Sequence, residues 1–370
     1  MKIGILTQPL RYNYGGLLQA YALQSVLKSL GHEVWILQRE KERHAFLLWL
    51  KNLLFNLGRI VLGKSLKKWL YRRTEQRIWR NTLDFSACNI IPKSPVLTST
   101  AALKRYWLSN HFEACVVGSD QVWRPKYSPN IYNYYCDFLD DDRFSRISYA
   151  ASFGVEDWEY SQEESQRCRE LISRFRAVSV REESGITLCK EHFCIDAVHV
   201  LDPTLLLDAQ QYRDLVGTGA NSVDKGKLFS YLLDETQAKR DTLKNVSSAT
   251  GLCPFTTMPV QDACNISERV FPPVTDWIRA FDDAEMIVTD SFHGCVFSII
   301  FNKPFWVVLN RKRGAARIES LLNQFSLQDR LVAEGGMPSR VDAEIDWDRV
   351  NARKNELKQA SMNFLSDNLK

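Results

Sequence analysis

The sequence predicts an α/β protein with two domains in tandem, each built on a mostly parallel sheet. Strand-like apolar runs alternate with helix-like stretches twice along the chain, and this alternation is typical of parallel sheets covered by helices. The length of 370 residues also fits two domains, at roughly 100 to 200 residues each. We predict domains at residues 1–210 and 225–335, and a C-terminal helix at 341–370.

The first series of elements begins at the amino terminus. KIGIL (2–6) is predicted as a strand, LLQAYALQSVLKSLG as a helix that ends at Gly31, and EVWIL (33–37) as the next strand. Four further strand-like runs follow: EACVVG (113–118), RISYAAS (146–152), AVSV (177–180) and AVHVL (197–201). This order predicts the strand, helix, strand units of a parallel sheet.

The second series follows a linker at about residues 207–225. Strands and helices alternate in the order KLFSYLL, AKRDTLKNVSSATG, CPFTTMPV, VTDWIRAFDDA, EMIVTD, SFHGCVFSIIF and PFWVVL. Two more helices are predicted at RIESLLNQFSL and DWDRVNARKNELKQASMNFL. These final helices either cap the second domain or return to the first.

The composition is that of an ordinary soluble protein, with 45% apolar and 25% charged residues. Nine scattered cysteines, an odd number, favour a reducing, cytoplasmic compartment. The spacing of Cys189, His192, Cys194 and His199 matches no usual zinc pattern, so no metal is expected. The apolar stretch at the amino terminus is too short for a signal peptide, and no apolar run is long enough for a transmembrane helix.

The net charge of +4 conceals a basic segment. Between Arg39 and Arg80, 12 Lys and Arg residues stand against three Glu residues, a local charge of +9 that leaves −5 for the rest of the chain. This segment predicts a basic amphipathic helical insertion at about residues 40–80, suited to contact with an anionic membrane. The alternative is a helical pair packed on its own domain. No nucleic-acid motif accompanies the charge, so no nucleic acid is expected as a partner.

Ligands of open parallel sheets bind at the carboxyl ends of strands, so the polar residues that follow the strands are candidate site residues. After the first strand, Gly15 and Gly16 open a helix, where backbone N–H groups can approach a ligand closely. The alternative is a tight turn with a helix cap.

VVGSDQVW places Asp120 at the end of the third strand, where it can accept hydrogen bonds from sugar hydroxyls or act as a base. Ser119 and Gln121 flank it, and Trp123 offers a flat apolar face to a sugar. The alternative is an ordinary helix N-cap.

VSVREES places Arg181 directly after a strand. The fixed fork of its guanidinium suits a carboxylate or a phosphate. The alternative is an internal ion pair with Glu182 or Glu183.

TDSFHG (289–294) lies where a strand becomes a helix. Ser291 is predicted as the N-cap, and the N–H groups of Phe292, His293 and Gly294 in the first turn are expected to cradle a phosphate. The helix dipole lowers the pKa of His293 and a bound phosphate raises it, so its protonation would respond to substrate. A histidine that is merely packed is the alternative.

A basic loop, NRKRGAARIESLL, follows the last strand of the second series. We expect one or two of its four cationic side chains to face the ligand; they are Arg311, Lys312, Arg313 and Arg317.

Seven motifs, in this order, resemble the polysaccharide pyruvyl transferase family: NYGGLLQAYALQ, VVGSDQVW, ISYAASFG, VSVREESG, VLDPTLLL, VTDSFHGCVFSIIFNKPF and NRKRGAARI. The resemblance runs from about residue 3 to 330 and omits the segment at 40–80. It implies a GT-B-like fold, in which two Rossmann-like domains face a cleft. It also implies transfer of pyruvate from phosphoenolpyruvate to a sugar as a ketal, without an organic cofactor.

The resemblance also implies site residues. By position, His293 and Arg181 match the active-site histidine and arginine of the family, and Asp120 is the third expected catalytic residue. We expect the first domain to bind the sugar and the second to bind phosphoenolpyruvate. The expected substrate-binding residues are Asn13, Gly15, Gly16, Ser119, Gln121, Trp123, Ser291, Phe292, Gly294, Asn310, Arg313 and Arg317.

The expected acceptor is a hexose such as galactose, which would receive a 4,6-linked ketal during synthesis of a bacterial surface polysaccharide. Such acceptors are commonly carried on polyprenyl diphosphate at the inner face of the membrane. Two alternatives remain: a glycosyltransferase that uses a nucleotide sugar on the same fold, and a catalytically silent binding protein. The presence of both Arg181 and His293 disfavours the second.

Overall fold

The computed structural model describes residues 1–42, 55–56, 72–217, 227–260, 265–309, 315–338 and 340–370. Within these ranges the chain forms two parallel sheets with helices packed against them. The predicted α/β class with mostly parallel sheets is therefore confirmed. Most of the predicted basic insertion lies outside the described residues.

The first sheet contains six parallel strands in the order β2-β1-β3-β4-β5-β6. Strands β3 and β4 lie at its centre, and nearly all of their residues are buried. The strands are β1 (Lys2–Leu6), β2 (Glu33–Ile36), β3 (Ala114–Asp120), β4 (Ser145–Ala151), β5 (Ser179–Val180) and β6 (Val198–His199).

Helix α1 (Tyr14–Ser29) links the first two strands. The side chain of Asn13 caps its start by accepting a hydrogen bond from the N–H of Gly16 at 3.2 Å. Gly31 follows its end with a φ of +88°, a conformation that glycine adopts without steric cost. The other helices of this half are α2 (Arg72–Ile78), α3 (Arg80–Asn89), α4 (Thr100–Ser109), α5 (Gln162–Ile172) and α6 (Glu183–Leu188).

The second sheet contains five parallel strands in the order β11-β10-β9-β7-β8. They are β7 (Leu228–Tyr231), β8 (Pro254–Phe255), β9 (Met286–Thr289), β10 (Phe305–Val308) and β11 (Leu331–Val332). The helices are α7 (Ala209–Val216), α8 (Gln237–Thr250), α9 (Val274–Asp283), α10 (Phe292–Ile300), α11 (Ala315–Phe325) and α12 (Trp347–Asn368). All nine residues of α10 are buried, which explains the apolar run in its sequence.

Helix α12 joins the two halves. Near its start, Arg353 donates to the backbone oxygen of Gln324 in the second half. Further along, the hydroxyl of Ser361 accepts a hydrogen bond from the N–H of Leu201 at 3.0 Å. Of the two alternatives for the final helix, the structure therefore shows a return to the first domain. None of the helices in the described ranges is long and apolar enough to span a membrane.

Candidate functional site

The carboxyl ends of β3, β5 and β6 bring three charged side chains to one point. Arg181 donates from Nη1 to Asp202 Oδ2 at 2.8 Å and from Nη2 to Asp120 Oδ1 at 3.1 Å. The side chains of Arg181 and Asp202 are at most 1% exposed, and that of Asp120 is 8% exposed. Buried charges are stable only when they are paired and hydrogen-bonded, and this arrangement meets that requirement. We call Asp120, Arg181, Asp202 and His293 the strand-end cluster.

The alternative for Arg181, an internal ion pair with Glu182 or Glu183, is borne out in part, because Glu182 pairs with Arg181, but Asp120 and Asp202 hold the guanidinium more closely. Glu182 Oε2 is 3.9 Å from Arg181 Nε, too far for a hydrogen bond. The other oxygen of Glu182 instead accepts from the hydroxyl of Ser152 and the N–H groups of Phe153 and Gly154, at 2.8 to 3.2 Å. Glu182 thus fixes the loop that follows β4.

His293 enters the cluster from the second domain, in the first turn of α10. Its Nε2 lies 3.8 Å from Asp202 Oδ2 and, within the described residues, makes no hydrogen bond although it is buried. The preceding residue also reaches the cluster, because the ring of Phe292 lies 4.4 Å from the guanidinium carbon of Arg181. The two residues matched to the family's histidine and arginine are therefore brought together.

Gly15, at the start of α1, lies against the Nδ1, Cγ and Cε1 atoms of the His293 ring. A methyl group built on Gly15 would lie 2.1 Å from Nδ1 and 2.3 Å from Cγ of His293, which is far inside contact distance. Only a residue without a side chain leaves room for the imidazole in this position. The glycine predicted to admit a ligand in fact admits a histidine from the other domain.

Thr289 shapes the turn between β9 and α10. Its hydroxyl donates to the backbone oxygen of Tyr231 at 2.8 Å and accepts from the N–H of Ser291 at 3.1 Å. A methyl group on Gly294 would lie 2.1 Å from this hydroxyl, so the helix starts in close contact with the strand. Ser291 occupies the N-cap position, but its side chain makes no capping hydrogen bond, so the predicted serine cap was wrong in this respect.

A buried ion pair between Lys239 and Asp290 also supports the turn between β9 and α10. Asp290 accepts a hydrogen bond from Lys239 Nζ at 2.6 Å and from the N–H of Leu233 at 2.7 Å. The side chains of Lys239 and Asp290 are at most 1% exposed. Breaking such a pair on one side leaves an uncompensated buried charge, so the pair holds the backbone next to His293 in place.

Arg317 is a second cation beside the cluster. It lies on α11, whose Ser320 hydroxyl accepts from the N–H of Glu183 at 3.0 Å and so joins the two domains. Burial, assisted by repulsion from Arg181, lowers the pKa of Arg317 to about 10, and Asp120 and Glu182 partly oppose this effect. Arg317 therefore carries its charge at neutral pH, inside the site.

The protonation of the two carboxylates follows from their neighbours. Burial by itself would raise the pKa of Asp120, but the charges of Arg181, His293 and Arg317 outweigh it and hold the pKa below its ordinary value. For Asp202, burial is likewise outweighed by His293, Arg181 and the hydrogen bonds from Thr204, and the pKa is again lowered. Both groups are ionised at neutral pH.

The imidazole of His293, unlike the two carboxylates, favours its uncharged form at neutral pH. Burial lowers its pKa, and Arg181 and Arg317 lower it further, while Asp202 and Asp120 act against them without reversing the shift. Because His293 is therefore mostly uncharged at neutral pH, Arg181 and Thr204 rather than His293 keep Asp202 ionised in the resting protein.

Three other predicted site residues make contacts within the first domain; they are Ser119, Gln121 and Asn13. Ser119 is buried, and its hydroxyl donates to the backbone oxygen of Ala150 at 3.0 Å and lies 3.4 Å from Asp202 Oδ2. Gln121 packs against Gly154, where a methyl group would lie 2.1 Å from its Oε1. Asn13 caps α1 through Gly16, as described above. Asn310, Arg311, Lys312 and Arg313 lie outside the described residues.

The prediction that Trp123 offers a face to a sugar was wrong. Its side chain is fully buried, stacks on Tyr135 at 5.3 Å and contacts Phe153. The indole N–H donates to the backbone oxygen of Tyr134 at 3.0 Å. Trp123 is thus a core residue that supports the loop after β3.

Asp202 is the site residue that the sequence reasoning missed. The signal was present in VLDPTLLL, where an aspartate follows a predicted strand of the first sheet just as Asp120 does. As one of the seven family motifs, VLDPTLLL by itself assigns no role to this aspartate. In the structure it lies between Arg181 and His293 and is the nearest carboxylate to the imidazole Nε2.

The cluster is enclosed by the two domains. Two surface cavities of about 540 and 620 Å³ lie elsewhere, the first lined by residues of α7 and α9 and the second mainly by residues 125–132. Within the described ranges, no group of three or more His, Cys, Asp and Glu side chains has the arrangement of a metal site.

Comparisons with known proteins agree with the fold and the motifs. A family model described as polysaccharide pyruvyl transferase matches residues 13–312. Among solved structures, the UDP-GlcNAc 2-epimerase from Methanocaldococcus jannaschii is similar, with a TM-score of 0.50, 9% identity, and coverage of 96% of this chain and 92% of that chain. The S. aureus MnaA-UDP co-structure is similar too, with a TM-score of 0.50, 11% identity, and coverage of 98% and 88%.

At these identities the likeness concerns the fold alone. The similar structures are GT-B proteins, so the prediction of two Rossmann-like domains in a GT-B-like arrangement is confirmed. No curated protein matches the sequence.

Proposed function

This chain belongs to the polysaccharide pyruvyl transferase family, and from that premise we propose that it transfers the pyruvyl group of phosphoenolpyruvate to two hydroxyls of a hexose. The proposed product is a 4,6-ketal on a galactose-type sugar of a bacterial surface polysaccharide. The observation that carries the proposal is the meeting of Arg181, from the first domain, with His293, from the second, around Asp202.

The reaction sets clear demands on the site. The enol carbon C3 of phosphoenolpyruvate gains a proton, the two sugar oxygens bond to C2, and the bond from C2 to the phosphate oxygen breaks. One hydroxyl proton ends on C3 and the other on the released phosphate, so the atoms balance without an oxidant or a reductant. Because the chemistry consists of proton transfers and additions, we propose that no cofactor takes part.

The donor carries several negative charges, and the described cations are already matched by acids. Asp120, Asp202 and Glu182 stand against Arg181 and Arg317, and His293 is mostly uncharged. The described charges therefore do not balance those of the donor, and we propose that Arg313, from the basic loop, adds positive charge for the phosphate at the first turn of α10 beside Arg317. The donor's carboxylate is proposed to face Arg181. In sequence, Arg313 follows β10, and β10 runs parallel to β9, so the two strands end at the same edge of the second sheet.

His293 is proposed as the group that moves the proton. An uncharged imidazole can accept a proton from a sugar hydroxyl, and the adjacent donor phosphate would then stabilise the charged form. Asp202, 3.8 Å from Nε2, stabilises that charge further. Because the cluster is enclosed, substrates must enter while the two domains are apart, and closure then brings His293 to Arg181.

Asp202→Asn, which removes the charge of Asp202, is expected to shift the titration of His293 to lower pH. Burial lowers the pKa of His293, and the guanidiniums of Arg181 and Arg317 lower it further, while the carboxylates of Asp202 and Asp120 raise it. Of the two carboxylates, Asp202 has the larger effect on His293. The loss of its charge therefore lowers the pKa of His293 below the already lowered native value. The measurement is a proton NMR titration of the six histidines, with the His293→Gln spectrum identifying the signal.

Two further variants control this titration. Asp120→Asn should move the His293 midpoint in the same direction but by less, since Asp120 has the smaller effect on His293. Asp202→Glu, which keeps the charge, should return the midpoint toward the native value. An unchanged midpoint in folded Asp202→Asn protein would rule out this role for Asp202.

The first domain is proposed to bind the acceptor through the loops after β1 and β3. We further propose that the acceptor is carried on polyprenyl diphosphate, and that the basic segment at 40–80 contacts the anionic membrane surface at the inner face of the cell membrane. Cosedimentation with liposomes that contain anionic lipid should then be strong at low salt and weak at high salt. Equal sedimentation with neutral liposomes would reject the membrane contact.

The decisive test of the proposed function is a transfer assay. The protein is incubated with phosphoenolpyruvate and a panel of lipid-linked or methyl glycosides, and a mass gain of one pyruvyl ketal is followed together with phosphate release. Matched reactions with UDP- and GDP-sugars test the glycosyltransferase alternative. Sugar transfer from a nucleotide sugar, without pyruvyl transfer, would replace the proposed function by that alternative.

A further inference from the structure

Three aromatic side chains from separate parts of the chain meet beside the start of α1. Tyr12, in the loop after β1, stacks on Trp79 at 5.1 Å and contacts Phe271 at 5.4 Å. Tyr12 nevertheless remains 46% exposed, and Trp79 and Phe271 are only partly buried. We call Tyr12, Trp79 and Phe271 the aromatic platform.

The platform is held in place by its backbone. The N–H of Phe271 donates to the oxygen of Ile78 at 2.9 Å, and Asn81 Nδ2 donates to the oxygen of Phe271 at 2.7 Å. The hydroxyl of Tyr14 donates to the oxygen of Pro272 at 2.9 Å. A ring that is both exposed and fixed loses little conformational entropy when a ligand covers it.

The platform lies close to the strand-end cluster. Tyr12 precedes Gly15 by three residues, so their Cα atoms can be at most about 11 Å apart. Gly15 in turn is in contact with the imidazole of His293. A ligand group on Tyr12 can therefore belong to the same molecule as a group that reacts at His293.

The surroundings favour a carbohydrate over a purely apolar ligand. Arg11 and Glu40 form a partly exposed ion pair at 2.8 Å next to Tyr12 in sequence, and Asn13 is exposed on the other side. A pyranose presents C–H bonds on one face, which suit the negative face of an aromatic ring, and hydroxyls at its edge, which suit such polar neighbours.

We propose that the aromatic platform is an acceptor subsite that binds the sugar ring next to the one that receives the pyruvyl group. The inference rests on the proposed function, because it assumes that the acceptor's terminal sugar reacts at His293. It assigns to Tyr12 the stacking role that the sequence had suggested for Trp123. The acceptor class is then an oligosaccharide, bound by at least two rings.

The test compares methyl β-galactoside with methyl β-lactoside, whose terminal galactose is followed by a second ring. The native protein should have the lower KM for the lactoside. Tyr12→Ala should raise the lactoside KM about 3- to 10-fold while leaving the KM for phosphoenolpyruvate and the kinetics with the galactoside unchanged. Tyr12→Phe, which keeps the ring, should behave like the native protein.

Tyr106→Ala is the matched control. Tyr106, on α4, is a partly buried tyrosine that packs on Phe112 at 6.2 Å. Phe112 lies two residues before the start of β3, at the edge of the sheet opposite to the strand-end cluster. Removal of the Tyr106 ring should leave both acceptors unaffected. Equal losses with both acceptors in Tyr12→Ala, or a changed KM for phosphoenolpyruvate, would show that Tyr12 only shapes the loop and would overturn the proposal.

A binding measurement separates this proposal from the proposed function. Saturation-transfer NMR with methyl β-lactoside needs no turnover, so it reports on the platform even if the native protein transfers no pyruvyl group. Weaker lactoside signals in Tyr12→Ala than in Tyr106→Ala would support the subsite. Equal signals would overturn it.

Discussion

Gly15→Ala is expected to reduce turnover by at least about 100-fold, although alanine is the better helix former. The added methyl group would lie 2.1 to 2.6 Å from three atoms of the His293 ring, so the imidazole must move or the domains must stay apart. A displacement of about 1 Å at a catalytic group can cost about 100-fold in rate. Since alanine is favoured over glycine within a helix by about 1 kcal/mol, α1 itself should remain intact.

Gly16→Ala provides the matched control for this experiment. A methyl group on Gly16 would meet the side chain of Asn13 at 3.3 Å, a tight contact that a small shift relieves. Its turnover should stay within a few-fold of the native value. Because both glycines lie in the first turn of α1, the difference between the two variants isolates the contact with His293.

A double-mutant cycle shows whether the clash is the cause. In a His293→Ala background the ring is absent, so adding Gly15→Ala should not lower the melting temperature further. In the native background the same change should lower it, or should expand the molecule in small-angle scattering if the domains separate. If Gly15→Ala lowered the melting temperature equally in both backgrounds, the direct contact with His293 would not be the explanation.

His293→Gln is expected to lower kcat by roughly 10² to 10⁴, the range typical for loss of a general acid or base. Glutamine has a similar reach and can hydrogen bond, but it cannot take up a proton near neutral pH. Binding of phosphoenolpyruvate should be largely retained, because Arg181, Arg317 and the first turn of α10 remain. The measurement is kcat from phosphate release together with a thermal-shift titration of phosphoenolpyruvate.

His192→Gln is the corresponding control. His192 is partly buried and stacks on Trp158 at 3.9 Å, with no part in the strand-end cluster. It should keep near-native turnover. If folded His293→Gln protein turned over at a near-native rate, the assignment of His293 as the proton carrier would have to be abandoned.

The site was predictable where a local pattern carries the information. In a parallel sheet, residues that follow strands gather at one edge, and this rule is enough to select Asp120, Arg181 and His293 from the sequence. The same rule applies to Asp202, which follows the strand-like run AVHVL in the sequence. The meeting of Arg181 with His293 was implied by the resemblance, and the structure supplies the shared carboxylate between them.

Other features depend on contacts that no local pattern reveals. A tryptophan after a strand can turn outward to a ligand or inward to the core, and only the neighbouring Tyr135 and Phe153 decide that Trp123 turns inward. Gly15 looks like a loop glycine until the distant His293 is placed against it. The length of a strand also depends on its pairing with neighbours, so CPFTTMPV, an eight-residue stretch predicted as a strand, forms only the two-residue strand β8.

The path of α12 bears on how this protein can be recombined with its relatives. Ser361 binds the backbone N–H of Leu201, the residue directly before Asp202, and Phe364 contacts Tyr149 on β4. The end of the chain is thus a structural part of the first half, although it follows the second half in sequence. A chimera that exchanges only the second half should take residues 227–338 from one parent and keep both flanking segments from the other. A single junction between the two halves would separate Asp202 from α12, the helix that binds the residue before it.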